Sequence, residues 1–364
     1  MPRFARQDLL NGELMNQFLS LAFYKSLVAV CLLGTLAVSC KQNENNADQL
    51  MGLGLLLANQ TTSTCITKPE DCTFSEFTSA NAPEANNWAG LGFANNQFIS
   101  VAQSGTNRVM TSPDAKTWTA RAAGSAEQWL DIAYGNNTMV AVASGSSAHT
   151  GNIMGSADGI TWTTRTHAGG QFESVTYGDN LFVAVGSSSH FFSSPDGTTW
   201  TKNTEPAAQS WRDVTYGNGL YVAVSVFGTS RVATSTDGKN WTLRTAAESN
   251  GWQSVTYGKG LFVAVARSGT NRVMTSPDGI NWTARAAAEA NEWTAVSYGN
   301  GLFLATSPTG TNRIMTSTDG INWTPRMATA ANYWYAVAYG NDTWVVVSID
   351  GTNRVMWANW RKKN

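Results

Sequence analysis

The chain has 364 residues, 13% of them charged, with 24 Lys and Arg set against 25 Asp and Glu for a formal net charge of −1. That balance, without a basic stripe or an acidic tail, excludes a nucleic-acid partner recognised by charge. Three histidines and four cysteines are too scattered to supply a tetrahedral metal set, and no cofactor motif occurs, so neither metal nor cofactor is expected.

In chain order, Lys25 precedes an apolar stretch from Ser26 to Val38, which is followed by Ser39 and Cys40. A charged start, a short apolar core and small residues before a cysteine predict a secretory signal peptide over residues 1–39, with Met15 offering an alternative start. The stretch is shorter than the roughly 20 apolar residues a spanning helix needs. Leu36-Ala-Val-Ser-Cys40 resembles a bacterial lipobox. The resemblance implies lipidation at Cys40, export, and a chain held at the cell envelope, at the outer membrane or cell surface, by its lipid anchor alone. Residues 40–72 read as the lipidated tether. Its start, Lys41 to Asp48, is polar and without periodicity, and its apolar run from Leu50 to Ala58 suits a short helix resting on protein or lipid. With Cys31 in the leader and Cys40 acylated, Cys65 and Cys72 remain, and an oxidising compartment predicts a local disulfide between them.

From residue 73 to 364 one sentence is repeated: Trp-x-x-Val-x-Tyr-Gly, a hydrophobic run, Thr-Asn-Arg-Val-Met-Thr-Ser, then x-Asp-Gly-x-x-Trp-Thr-x-Arg. The anchoring aromatics are Trp88, Trp129, Phe172, Trp211, Trp252, Trp293 and Trp334, spaced by 41, 43, 39, 41, 41 and 41 residues. In the copy from Trp252 to Arg285, period-two alternation through Tyr257 predicts a strand. Gly258-Lys-Gly260 turns the chain, and Leu261 to Val265 is apolar throughout, as in a strand covered on both faces. Arg272 to Ser276 is a third strand, Asp278-Gly279 a second hairpin, and Asn281 to Arg285 an outer fourth strand. Four strands per unit at a period near forty predict an all-β, seven-bladed β-propeller. The last copy, Trp334 to Trp360, lacks the Asp-Gly turn. Phe77 precedes Trp88 by 11 residues, as Trp282 precedes Trp293. An N-terminal strand, Thr73 to Thr78, is therefore expected to complete the seventh blade and leave no open edge, with Trp360 to Asn364 as a competitor for that edge.

Ser-x-Asp-Gly-x-x-Trp begins at Ser156, Ser194, Ser235, Ser276 and Ser317, and at Ser112 with Ala115 replacing glycine. It resembles, one residue shorter, the Asp-box (BNR repeat) of sialidase-like propellers, and the likeness spans nearly all residues from Trp88 to Trp323. Asp114, Asp158, Asp196, Asp237, Asp278 and Asp319 read as turn-capping residues. Like residues spread around a ring do not converge on a substrate, and no catalytic residue is assigned.

Strand direction places the Ser-Gly-Thr-Asn-Arg loops and the blade-to-blade linkers on one face of the ring. That face, with its central funnel, is the candidate binding surface. Arg108, Arg231, Arg272, Arg313 and Arg354 recur there, with Glu84, Glu248 and Glu289 on the same side. They form either anion- or sugar-binding positions or contacts tying linkers to neighbouring blades. His149, His190, Phe191, Tyr333 and Tyr335 break the repeat symmetry, as does Phe227, and complete the set of ligand-binding candidates.

Three functions follow as expectations. The first is a non-catalytic, surface-exposed, monomeric lipoprotein propeller binding a glycan or a protein ligand. The second, from the resemblance, is a sialidase-type glycoside hydrolase, which needs one pocket holding three arginines with an acid/base Asp and a Tyr–Glu pair. The sequence has no Phe-Arg-Ile-Pro-like element ahead of its first box. The third is a protein-assembly scaffold, since such propellers also resemble the photosystem assembly factor family.

Overall fold

The computed structural model describes residues 64–145, 152–165, 169–187 and 190–363. The leader, Cys40, the apolar run 50–58, His149 and His167 lie outside them. The described chain is a ring of seven antiparallel sheets, each beginning with an inner strand and stepping outward. Blade five is representative, with strands Trp252–Gly258, Leu261–Ala266, Val273–Ser276 and Thr283–Arg285. Its second and third strands are almost wholly buried because sheets cover both of their faces. Val222, Val224 and Val232 of blade four share one apolar cluster with Trp252, Val255 and Phe262 of blade five.

The anchoring aromatics are fully buried in all seven copies. The indole is also a hydrogen-bond device. Trp88, Trp129, Trp211, Trp252, Trp293 and Trp334 each donate Nε1–H to the carbonyl four residues upstream, at 3.0–3.2 Å. Each anchor thus fixes the linker that enters its blade as well as filling the core. The Ser-x-Asp-Gly turns repeat a second device. In blade five Asp278 Oδ1 accepts the backbone N–H of Ile280 at 2.9 Å and of Asn281 at 2.8 Å, and the Ser276 hydroxyl at 2.9 Å. Trp282 Nε1–H closes on the Gly279 carbonyl at 3.0 Å. The turn needs a left-handed residue after the aspartate, with φ of 70° at Gly279 and 64° even at Ala115.

Neighbouring blades interlock through the Tyr-Gly pair that ends six of the seven inner strands. A Cβ on Gly217 would lie 2.1 Å from Cγ of Tyr257, and Gly135, Gly178, Gly258, Gly299 and Gly340 are covered likewise by an aromatic of the next blade. At the equivalent position blade one carries Ala94, and Tyr134 of the following blade is the one ring tyrosine turned outward, at 39% exposure. Gly217→Ala is therefore expected to cost about 1–3 kcal/mol by overpacking, read as a lower urea midpoint. A cost below about 0.5 kcal/mol would show instead that Tyr257 swings out as Tyr134 does.

Ring closure uses the N-terminal segment. Cys72–Phe74 pairs with Trp360–Lys362, and Thr78–Ala80 pairs with Val355–Trp357. Two short strands thus line the outer edge of the long third strand Val355–Lys362. Thr73 to Thr78 is not one continuous strand, because Ser75 bridges the break by bonding Asn359 through both its backbone N–H (3.0 Å) and its hydroxyl (2.8 Å). Trp360 to Lys362 does not compete for the edge. With no Asp-Gly turn to reverse it, the third strand runs on. Arg354 Nη1 donates to the Asn86 carbonyl at 2.7 Å, so the last blade also grips the first linker. A disulfide joins Cys65 and Cys72, whose Cα atoms are 5.6 Å apart, and the Cys65 backbone covers Gly301 of blade six.

Candidate functional site

The inner strands of all seven blades surround a central channel, and its end on the linker face opens into a cavity of about 210 Å³. Two rings of equivalent positions build this mouth. The residue directly after each anchor is Ala89, Leu130, Glu173, Arg212, Gln253, Thr294 or Tyr335, and all seven line the cavity. In a chain of near-copies, this position differs in every blade. Seven unlike side chains thus converge once, on the axis.

The next residue of each blade forms a deeper ring: Gly90, Asp131, Ser174, Asp213, Ser254, Ala295 and Ala336. Asp131 accepts the N–H of Ile132 at 2.8 Å and, across the blade boundary, that of Val175 at 2.9 Å. Asp213 likewise accepts Val214 and Val255, both at 2.8 Å, and the Ser174 hydroxyl at 2.7 Å. Ser254 accepts the N–H of Val296 at 3.1 Å. These side chains pin adjacent inner strands together. Burial, and then the neighbouring Asp213 charge, push Asp131 up to about 7; burial also pushes Asp213 up.

Above that ring lies the charged cluster. Arg212 pairs with Glu173 at 2.7 Å. Burial pushes the Glu173 carboxyl up, and Arg212 opposes the shift. Arg267 enters from the loop after the second strand of blade five, and its Nη2 donates to the Tyr333 hydroxyl. Its guanidinium carbon also stands 5.7 Å from the Tyr333 ring centre. The Tyr333 and Tyr335 rings are 6.0 Å apart, and burial pushes the Tyr335 phenol up. Arg267 Nε is buried without a hydrogen-bond partner, and among the described residues no carboxylate pairs with this guanidinium. Arg267 therefore brings to the mouth a guanidinium whose donors are only partly used by its Tyr333 contact.

Of the sequence candidates, Tyr333 and Tyr335 come together here and the others do not. The five repeat arginines are spread around the ring, engaged with backbone carbonyls of the linker to the next blade. Arg108 reaches the carbonyls of Ala126 (2.8 Å) and Glu127 (2.6 Å), and Arg231 those of Ser249 and Asn250, both at 2.6 Å. Arg272 binds Ala290 at 2.7 Å, Arg313 binds Asn332 at 2.8 Å, and Arg354 closes the circle on Asn86. Glu84, Glu248 and Glu289 pair instead with the side chains of Asn107, Asn271 and Asn312. In blade two Asn152 stands at the arginine position and makes the same cross-blade bond, to the Gly170 carbonyl at 2.5 Å.

In blade three that position is His190, almost buried, with Nδ1 2.6 Å from the Ser187 carbonyl oxygen. Phe191 is fully buried, edge-on to Trp211 and Trp241. It packs a blade interface and presents no surface to a ligand. Glu173, Arg212 and Arg267 were not among the sequence candidates. The signal that finds them is their departure from the consensus at positions the repeat leaves free. The hydrolase reading required three arginines in one pocket; this mouth holds two, Arg212 and Arg267, with Tyr335 and Glu173.

No protein-family model matches the chain, and no curated protein matches it. Solved structures do. YCF48 from Cyanidioschyzon merolae is 15% identical with a TM-score of 0.60, over 78% of this chain and 98% of that one. YCF48 bound to a D1 peptide matches at 15% identity and a TM-score of 0.59, over 78% and 94%. Virginiamycin B lyase from Staphylococcus aureus matches at 10% identity and a TM-score of 0.67, over 79% and 99%. Likeness at these identities shows the shared fold and nothing finer.

Proposed function

We propose that this chain is a non-catalytic binding propeller that takes a protein ligand on its linker face, centred on the channel mouth. The observation that carries the reading is the ring of seven unlike residues after the anchors, where near-copies diverge toward a common point. A polypeptide suits the scaffold, since a propeller of similar fold has been solved with a D1 peptide. A scaffold role in protein assembly is a special case of the same contact.

The hydrolase alternative draws on Tyr335, Glu173 and two arginines sharing the mouth. It is the weaker reading on chemical grounds. A tyrosine nucleophile needs a lowered pKa and a free base, whereas burial raises Tyr335 and Glu173 is held by Arg212. Export and acylation at Cys40 complete the proposal, placing the propeller at the envelope; Cys40→Ser is expected to move the protein from the membrane to the soluble fraction, and unchanged membrane recovery would count against acylation.

Site-specific photo-crosslinking in the native host tests the binding face. A photoreactive residue at Gln253, in the mouth, is expected to give a discrete protein adduct. The same residue at Thr117, on the turn face, is expected to give none. Adducts from Thr117 alone, or from neither position, would refute the proposal.

A further inference from the structure

We infer that the channel mouth is a seat for a single carboxylate on an extended polypeptide, with Arg267 as its anchor and Glu173 as a built-in occupant of Arg212. This rests on the binding reading above and gives its ligand a chemical class.

Two guanidinium groups face one cavity of about 210 Å³, and Glu173 satisfies one of them at 2.7 Å. The Glu173–Arg212 pair is itself an image of the proposed complex, a carboxylate seated on a mouth arginine. The second guanidinium has its tyrosine contact and a buried Nε–H with no acceptor. Its charge does not descend from the repeat. At the position of Arg267 the other six blades carry Gln103, Ser144, Ser187, Val226, Pro308 and Ile349, all neutral. The charge is therefore placed on one side of the ring, against the two tyrosines that blade seven alone supplies.

Size and electrostatics narrow the ligand. Pockets for drug-sized molecules run to about 300–1,000 Å³; this one is smaller and suits a chain end or one side chain. Asp131, Asp213 and Glu173 line the same cavity as the Arg267 guanidinium. A dianion such as a phosphate monoester would meet those carboxylates, whereas a single carboxylate matches the one uncompensated cation. The Tyr333 and Tyr335 rings, 6.0 Å apart, offer an apolar wall for the carbons behind it.

The carboxylate could belong to a chain terminus or to an acidic side chain, and three acetylated tetrapeptide probes separate the two. The first is tetra-alanine with a free C-terminus, the second carries one Glu and an amidated end, and the third carries Gln in its place. Calorimetric titration into the purified full chain is expected to show millimolar or tighter binding of at least one carboxylate probe, with the Gln probe about tenfold weaker or worse.

Arg267→Gln is expected to abolish the preference, and Arg267→Lys, which keeps charge but loses the planar fork, to weaken it. Glu173→Gln frees Arg212 and is expected to tighten binding several-fold. Whichever carboxylate probe binds identifies the source. Equal binding of the Gln probe, full retention by Arg267→Gln with an unchanged melt, or no binding of any probe at about 10 mM would overturn the inference. If the probes fail while the Gln253 cross-link persists, the carboxylate claim falls alone; if the cross-link is also absent, the binding face falls with it.

Discussion

Trp252→Ala is expected to lower stability by about 3–5 kcal/mol, the range for removing a large buried aromatic, and Trp252→Phe by about 1–2 kcal/mol. The difference separates two jobs of one side chain. Trp252 is fully buried in a cluster that draws on blades four and five, so truncation opens a cavity at their boundary. Phenylalanine keeps most of the apolar body and loses the Nε1–H that reaches the Glu248 carbonyl at 3.1 Å. That carbonyl belongs to a knot in which the Glu248 carboxylate holds Asn250 at 3.0 Å and Asn271 at 2.6 Å, and Arg231 of the previous blade holds the Asn250 carbonyl. Phe172 shows that one blade of the ring accepts phenylalanine at the anchor. Urea denaturation of the two variants beside the parent measures both costs. Equal losses would mean that the indole N–H is the dominant contribution; a negligible loss in Trp252→Ala would remove the anchor from the account of the core.

The architecture was legible because its causes are local and repeated. Period-two strands recur around the ring, Gly-x-Gly hairpins stand in three copies and Asp-Gly turns in five, and this repetition multiplies a weak signal. Closure was legible from one register argument, the 11-residue offset of Phe77 from Trp88. Its detail was not: the break at Ser75 and the run-on of Val355–Lys362 arise from pairing between chain ends about 280 residues apart, which local chemistry does not encode.

The site was half legible. Tyr333 and Tyr335 stood out as departures, but Glu173 and Arg212 fall at positions where a consensus keeps no residue, so the repeat pattern hid them. The arginines posed the opposite difficulty. Recurrence made Arg108 and its equivalents conspicuous, and recurrence is what a blade-to-blade tie requires. Phe191 breaks the repeat symmetry and so stands out as a ligand-binding candidate, yet aligned on its neighbours it occupies the place of Val232 and Val273, which are buried third-strand positions.

Stability should be greatest on the acid side of neutrality, near pH 4–5, because two sets of carboxylates pull in opposite directions. Hydrogen bonds from turn N–H groups hold the Ser-x-Asp-Gly aspartates below the usual range, with Asp158 and Asp319 near 2. Asp237 and Asp278 are shifted the same way, and side-chain amides of Asn271 and Asn312 lower Glu248 and Glu289. A lowered folded pKa contributes stability above the unfolded value of 3.8 for aspartate, and that stability is lost as pH falls through the folded value. The melting temperature should therefore drop steeply between about pH 4 and pH 2.

The channel works in the other direction. Asp131, pushed to about 7, keeps its proton in the fold over a range where the unfolded chain has released it. Asp213 and Glu173 are raised as well. Their contribution is fully present below the unfolded pKa and is lost as pH rises from about 4 to about 7, a decline of the order of 2 kcal/mol for Asp131, whose partly exposed carboxyl is screened by solvent. Differential scanning calorimetry from pH 2 to 9 should trace a dome with both limbs. Asp131→Asn, which cannot ionise, should flatten the alkaline limb and leave the acid limb in place, whereas Asp278→Ala should soften the acid limb alone. A melting temperature that climbs steadily to pH 7 would show that the buried carboxylates are ionised in the fold, and the inner-ring network would then have to be redrawn with charged partners.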